Sequence, residues 1–265
     1  MKKLVIQGAA TILLFIGIWL LFTQIDWMTL FRVQQITDKS EQKLGEILWE
    51  NFNINDKEVS NTYVVNSVDS IVSQLCLSNN LDRSKFKVHV LNNNEVNAFA
   101  LPDGHLVIYS GLILNSESQD ELVGVIGHEM AHIELNHVMK KLGKEIGLSV
   151  LISLTTGNSN MQVISEALKV LSSTAFDRNF EREADIKSVD YLINANVNPE
   201  PFANFLYKLS HDEHREASYL EWVSTHPDSK ERATYILEYS SESVLSYKQI
   251  LSDDTWLRLK EILQF

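Results

Sequence analysis

From Ser40 onward the apolar residues of SEQKLGEILWENF return every three or four positions, and those of VDSIVSQLC from Val68 do the same. That period gathers apolar side chains on one helical face, so it predicts two helices, each packing one side. The period then shortens. FKVHVL, VNAFAL and HLVIYS are β-rich runs separated by the turn-forming clusters NNNE and PDGH, which predicts a small antiparallel sheet over residues 86–110. Beyond it the helical period returns almost to the end. SQDE from Ser118 is a capping-box pattern that opens one helix running through LVGVIGHEMAHIELNHVMKKL. MQVISEALKVLSSTAFDRNFEREADIKSVDYLINA predicts a second long helix, with Asn194 or Asn196 as its stop and NPEPF starting the next. GLSVLISL at 147–154 is apolar but too short to cross a bilayer, and suits core, an active-site lid or a membrane-touching patch. The tail SYKQILSDDTWLRLKEILQF is an amphipathic helical end whose expected role is packing.

The first residues follow a different pattern. LVIQGAATILLFIGIWLLFT, residues 4–23, carries no charge and only Gln7, Thr11 and Thr23 as clearly polar members. About 20 such residues at ~1.5 Å each cover a ~30 Å hydrocarbon core, and Trp19 and Trp27 fall where interfacial aromatics sit. A cleaved signal peptide has a shorter apolar run and a small-x-small site, which suits this stretch less well. Residues 1–27 are therefore expected to be a transmembrane anchor. Lys2 and Lys3, set against Arg32, Lys39 and Lys43, favour an N-terminus in the cytoplasm and residues 28–265 on the periplasmic or outer face of the cytoplasmic membrane.

The chain has 265 residues, 45% hydrophobic and 22% charged, enough to bury a full-sized core. Its net charge of -12 argues against a nucleic-acid partner, whose phosphates need basic surfaces. Cys76 is the only cysteine, so a metal would have to be held by histidine and carboxylate.

Within the helix opened by Ser118 stands HEMAH. His128 and His132, four apart, lie one above the other on one face, where both imidazoles can reach a single zinc ion. Glu129 is placed to act as the base for water at that zinc. A third ligand is needed. His137 does not fit HExxHxxGxxH, because Leu135 replaces the glycine and the histidine comes one position early, so it is read as a surface residue or a support for a ligand. Glu181 and Asp185 in FEREAD share a helix face: one carboxylate can ligate while the other accepts the spare N–H of a ligand histidine. Glu183 points elsewhere, and without HEMAH this stretch would read as a solvated acidic helix end. His89, His105, His211 and His214 have no partner pattern and are read as structural or surface residues.

HExxH, a later ExxAD helix, a preceding NAFALPDGHLVIYSGLI and a following STHPDSKER together resemble the M48 family of zinc metallopeptidases, over about residues 60–237. The resemblance implies an α+β, mainly helical gluzincin-like domain, with a small antiparallel sheet over the HExxH helix. It implies one Zn2+ held by His128, His132 and Glu181, Glu129 as catalytic base and Asp185 orienting a ligand histidine. Asn97, Ala98, Phe99 and Ala100 match the edge strand with which an extended substrate pairs. His226 matches a histidine that either stabilises the oxyanion or closes the open zinc position, and Arg232 an arginine near the developing charge. Multi-span members differ from this chain, which offers one span, and no tetratricopeptide array follows the domain. The function implied is a membrane-anchored zinc endopeptidase acting on polypeptides in membrane-associated quality control. The rival is a metal-binding chaperone or scaffold with little turnover.

Overall fold

The computed structural model describes Gln7 and residues 33–153, 161–211, 220–241 and 246–264. The expected anchor at 4–23 lies outside them apart from Gln7, and among the described residues no helix is long and apolar enough to cross a membrane. Helix α1 (Val33–Asn55) extends the first amphipathic stretch at both ends. Helix α2 (Thr62–Asn79) begins where the Asn61 side chain accepts the N–H groups of Tyr63 and Val64, and stops at Asn80, whose φ of 53° is left-handed.

Three short strands follow, β1 (Lys87–Leu91), β2 (Ala98–Ala100) and β3 (His105–Tyr109), in the order β1-β3-β2. The expected antiparallel sheet is mixed instead: β1 runs parallel to the central β3, and only β2 is antiparallel to it. The connection between β1 and β2 explains the difference. Asn93 N–H donates to Ser110 Oγ (3.1 Å) and Gly111 N–H to Asn93 O (2.8 Å), which pins the loop at the far end of β3. A β1–β2 hairpin cannot form, and β2 pairs with the opposite side of β3. A Cβ on Gly111 would stand 2.3 Å from Asn94 O, so only glycine lets the loop lie so close.

Helix α3 (Ser110–Asn115) leads to α4 (Gln119–Glu134), capped by Ser118 Oγ accepting Glu121 N–H at 3.2 Å. Contrary to the single long helix expected, α4 ends at Leu135, and Asn136 (φ 56°) turns the chain into α5 (His137–Leu142). Asparagine tolerates the left-handed region that most residues avoid. One π turn, Gly143–Gly147, joins α5 to α6 (Leu148–Ser153), where Leu151 is buried, in keeping with the core reading of that stretch. The second long pattern is also two helices, α7 (Met161–Ser173) and α8 (Arg178–Asn194). Asp177 breaks it by accepting Asn179 N–H, a cap hidden inside a continuous apolar period. The remaining helices are α9 (Glu200–His211), α10 (Leu220–Thr225), α11 (Ser229–Ser240) and α12 (Asp253–Leu263).

The sheet is buried on both faces. Leu106 and Ile108 pack into a core shared by α2, α4, α8 and α9, while Val107 and Tyr109 face a second core with α1, α5 and α7. Gly124 of α4 lets α9 approach closely, since a Cβ there would meet Phe202 Cβ at 2.3 Å. The C-terminal segment packs as expected: Gln119 exchanges two 2.8 Å hydrogen bonds with the Leu251 backbone, and Leu259 is fully buried.

Candidate metal centre and cleft

Four elements bring their polar side chains to one buried point. His128 and His132 come from α4, Glu181 and Asp185 from α8, His226 from the turn after α10 and Arg232 from α11. His128 Nδ1 lies 2.9 Å from Asp185 Oδ1, so its proton belongs on Nδ1 and its lone pair on Nε2. His132 also turns Nε2 inward, 3.0 Å from His128 Nε2. Glu181 Oε1 is 3.3 Å from His132 Nε2 and Oε2 is 3.7 Å from His128 Nε2. His226 Nδ1 stands 3.1 Å from Glu181 Oε1 and 3.4 Å from His128 Nε2.

These separations match the ~3.3 Å edge of a tetrahedron drawn with ~2.0–2.1 Å metal–ligand bonds. Burial holds His132 and His226 down at about 4, and lowers His128 as well, so all three are neutral with lone pairs free. Inward lone pairs around a carboxylate need a cation, and two histidines with one carboxylate suit zinc.

Arg232 is fully enclosed in this cluster. Its Nε and Nη2 each donate to an Asp185 oxygen at 2.8 Å, and Nη1 lies 2.5 Å from Glu181 Oε2. Tyr235, one turn further along α11, donates its hydroxyl to Asp185 Oδ2. Burial alone would raise both carboxylates, but the guanidinium outweighs it, holding Asp185 at about 2 and Glu181 well below the usual range. Arg232, expected near the developing charge, directs its guanidinium at two carboxylates.

Glu129 behaves differently. Burial, then the charge of Glu181, pushes its carboxyl well above the ordinary value. His226 Nε2 is 3.6 Å from Glu129 Oε1. Beside them opens a narrow cleft between β2 and the 171–176 segment, lined by Asn97, Phe99, Ala100, Phe176 and His226. Asn97 and Leu101 bond to Tyr109 and His105 of β3, so Ala98 and Ala100, in the alternate positions, turn their backbone groups away from β3. The Ala98 side chain itself is buried in the core.

The structure therefore brings together His128, Glu129, His132, Glu181, Asp185 and His226, and sets Asn97, Phe99 and Ala100 at the adjoining cleft. Of the two roles open to His137, the structure gives it the support of a ligand, and other side chains join it. His137 is fully buried against His132, and Glu183, expected to point elsewhere, pairs with it. Trp222 stacks on His226 at 4.1 Å, and Lys141 binds Thr174 O at 2.6 Å over the Phe176 ring. Tyr235, three residues after Arg232 and so on the same face of α11, is the support that helical spacing could have shown. His89 and His105 pair with each other at 2.9 Å beneath Trp49, a structural role. The His211 side chain and His214 lie outside the described residues.

A helical domain with a two-histidine, one-carboxylate centre and a neighbouring glutamate defines the class of metal-dependent peptidases. Residues 62–240 match the description of peptidase family M48, and the chain belongs to that family. It is 24% identical over 199 residues to the beta-barrel assembly-enhancing protease of Yersinia pestis, covering 68% of this chain and 41% of that one. It is 31% identical over 172 residues to the metalloprotease LoiP of Escherichia coli K12, covering 62% and 67%. With the mitochondrial metalloendopeptidase OMA1 of Schizosaccharomyces pombe it shares 25% identity over 198 residues, 73% of this chain and 58% of that one. The chain thus spans about two fifths of the length of the first of these relatives.

Proposed function

We propose that this protein is a zinc metalloendopeptidase. The observation that carries the reading is the convergence of His128, His132 and Glu181 within 4.8 Å, beside a Glu129 carboxyl of raised pKa. Those three residues would hold the ion. Zinc there would supply Lewis acidity, polarising a peptide carbonyl and making water nucleophilic near neutral pH. Glu129 takes the proton of the attacking water and passes it to the leaving amine. The outward backbone groups of Ala98 and Ala100 pair with an extended substrate, and Asn97 and Phe99 line its path. Asp185 holds His128 in its tautomer, and Arg232 offsets the two carboxylates.

Residues 4–23 would anchor the chain as a single span, with the domain at 28–265 outside the cytoplasm. The names of the relatives, a beta-barrel assembly-enhancing protease and a mitochondrial metalloendopeptidase, support polypeptide substrates, and at a membrane such an enzyme would serve protein quality control.

His226 supports a second reading. Its Nδ1 supplies a fourth donor, and a closed four-ligand site belongs to structural rather than catalytic zinc. A scaffold that holds clients with little turnover would look like this at rest. The full chain in detergent, given unfolded casein with and without a chelator, separates the two. Cleavage lost to chelator and restored by zinc supports the peptidase; zinc uptake without cleavage under any condition supports the scaffold.

A further inference from the structure

We propose that His137 and Glu183 form a positioning relay that sets the tautomer and ring orientation of the metal-site residue His132. The proposal rests on the zinc reading of the site. His137 follows His132 by five residues, which on an unbroken helix would put it ~140° around the axis. The left-handed turn at Asn136 removes that separation. It brings His137 Nδ1 to 3.1 Å from His132 Nδ1, and the outer nitrogen, Nε2, to 3.2 Å from Glu183 Oε2.

With His137 neutral, one proton arrangement satisfies both of its contacts. A Glu183 carboxylate accepts but cannot donate, so the His137 proton sits on Nε2 and its Nδ1 is an acceptor. His132 must then donate from Nδ1, which leaves its Nε2 lone pair facing Glu181 and His128. That is the state in which an imidazole binds a metal. Asp185 does the same for His128 directly, with Oδ1 2.9 Å from Nδ1. Phe180 stacks on the His137 ring at 4.4 Å and 11°, holding its plane, and His137 is fully buried. Glu183 reaches solvent with a side chain 56% exposed, so the relay ends at the surface, where substitution is tolerated. Metal-site histidines depend on such partners, whose loss typically weakens metal binding ~10–100-fold.

The test uses the full chain in detergent, stripped of metal, with wild type, His137→Phe, His137→Gln and Glu183→Leu. Zinc affinity is read by competition with a chromophoric chelator, and geometry by the visible spectrum after cobalt substitution. His137→Phe is expected to weaken zinc ~10–100-fold and shift the cobalt bands. His137→Gln, whose amide oxygen still accepts from His132, should recover most of the affinity, and Glu183→Leu should fall between. Melting of the metal-free proteins reports any damage to the fold. Wild-type affinity and an unchanged cobalt spectrum in His137→Phe would overturn the relay alone. A wild type that takes up no zinc would overturn the site reading and the relay with it; zinc uptake without cleavage would leave the relay judged by affinity.

Discussion

Arg232 grips Asp185 with two nitrogens, each 2.8 Å from a carboxylate oxygen, while its third nitrogen lies against Glu181. One buried cation thus serves two buried anions. Arg232→Ala leaves both carboxylates uncompensated, and such losses cost about 3–5 kcal/mol. Arg232→Lys keeps the charge but loses the two-pronged geometry, and should fall between. Melting of the metal-free protein checks both, and a change of under ~1 kcal/mol in Arg232→Ala would contradict this account. Added zinc should recover part of the loss by neutralising Glu181.

His226 presents Nδ1 to the other donors and stacks on Trp222 at 4.1 Å. Read as the group that closes the site, it holds back turnover. His226→Ala should therefore cleave casein several-fold faster than wild type while still retaining zinc on the other three donors. Slower cleavage at full zinc occupancy would assign His226 to the chemistry instead.

Away from the site, burial and then the neighbouring His89 hold His105 down at about 4, against 6.5 for an ordinary histidine. The folded state prefers the neutral ring, so the unfolded chain binds more protons between those values. This contribution to stability is complete above about 6.5 and is lost as pH falls towards 4. Denaturant titrations across that range should show a shallower pH slope for His105→Gln than for wild type. Equal slopes would mean the imidazole is protonated in the fold.

Two glycines should respond in opposite directions to alanine. At Gly124 the added methyl meets Phe202 Cβ at 2.3 Å, between packed helices that cannot separate cheaply, so Gly124→Ala should cost ~1–3 kcal/mol. At Gly143 nothing lies within 4 Å and φ is -61°, so Gly143→Ala should be neutral or stabilise by ~0.4–1 kcal/mol through the unfolded chain. Paired denaturation curves decide both.

Residues whose roles depend on local spacing were legible before the structure. His128, Glu129 and His132 need only one helix, opened by the Ser118 cap, and Glu181 and Asp185 need only one turn of another. What depended on distant contacts was not. The parallel pairing of β1 with β3 follows from Asn93 binding Ser110, a contact that no periodicity encodes. The breaks at Asn136 and Asp177 were hidden because the apolar period continues across them. His137 departs from the glycine-containing spacing of a third histidine ligand, and its contact with Glu183, 46 residues away, leaves no local signal. Arg232 was placed by resemblance, and packing gave it carboxylate partners.

The most direct measurement takes the full chain in detergent, purified without chelators, as wild type and Glu129→Gln, and records zinc per chain beside the rate of casein cleavage. About one zinc in each protein, with cleavage in Glu129→Gln reduced ~10²-fold or more, is the expected result. Cleavage in Glu129→Gln within threefold of wild type, at equal zinc, would contradict the role of Glu129, and with it the peptidase mechanism.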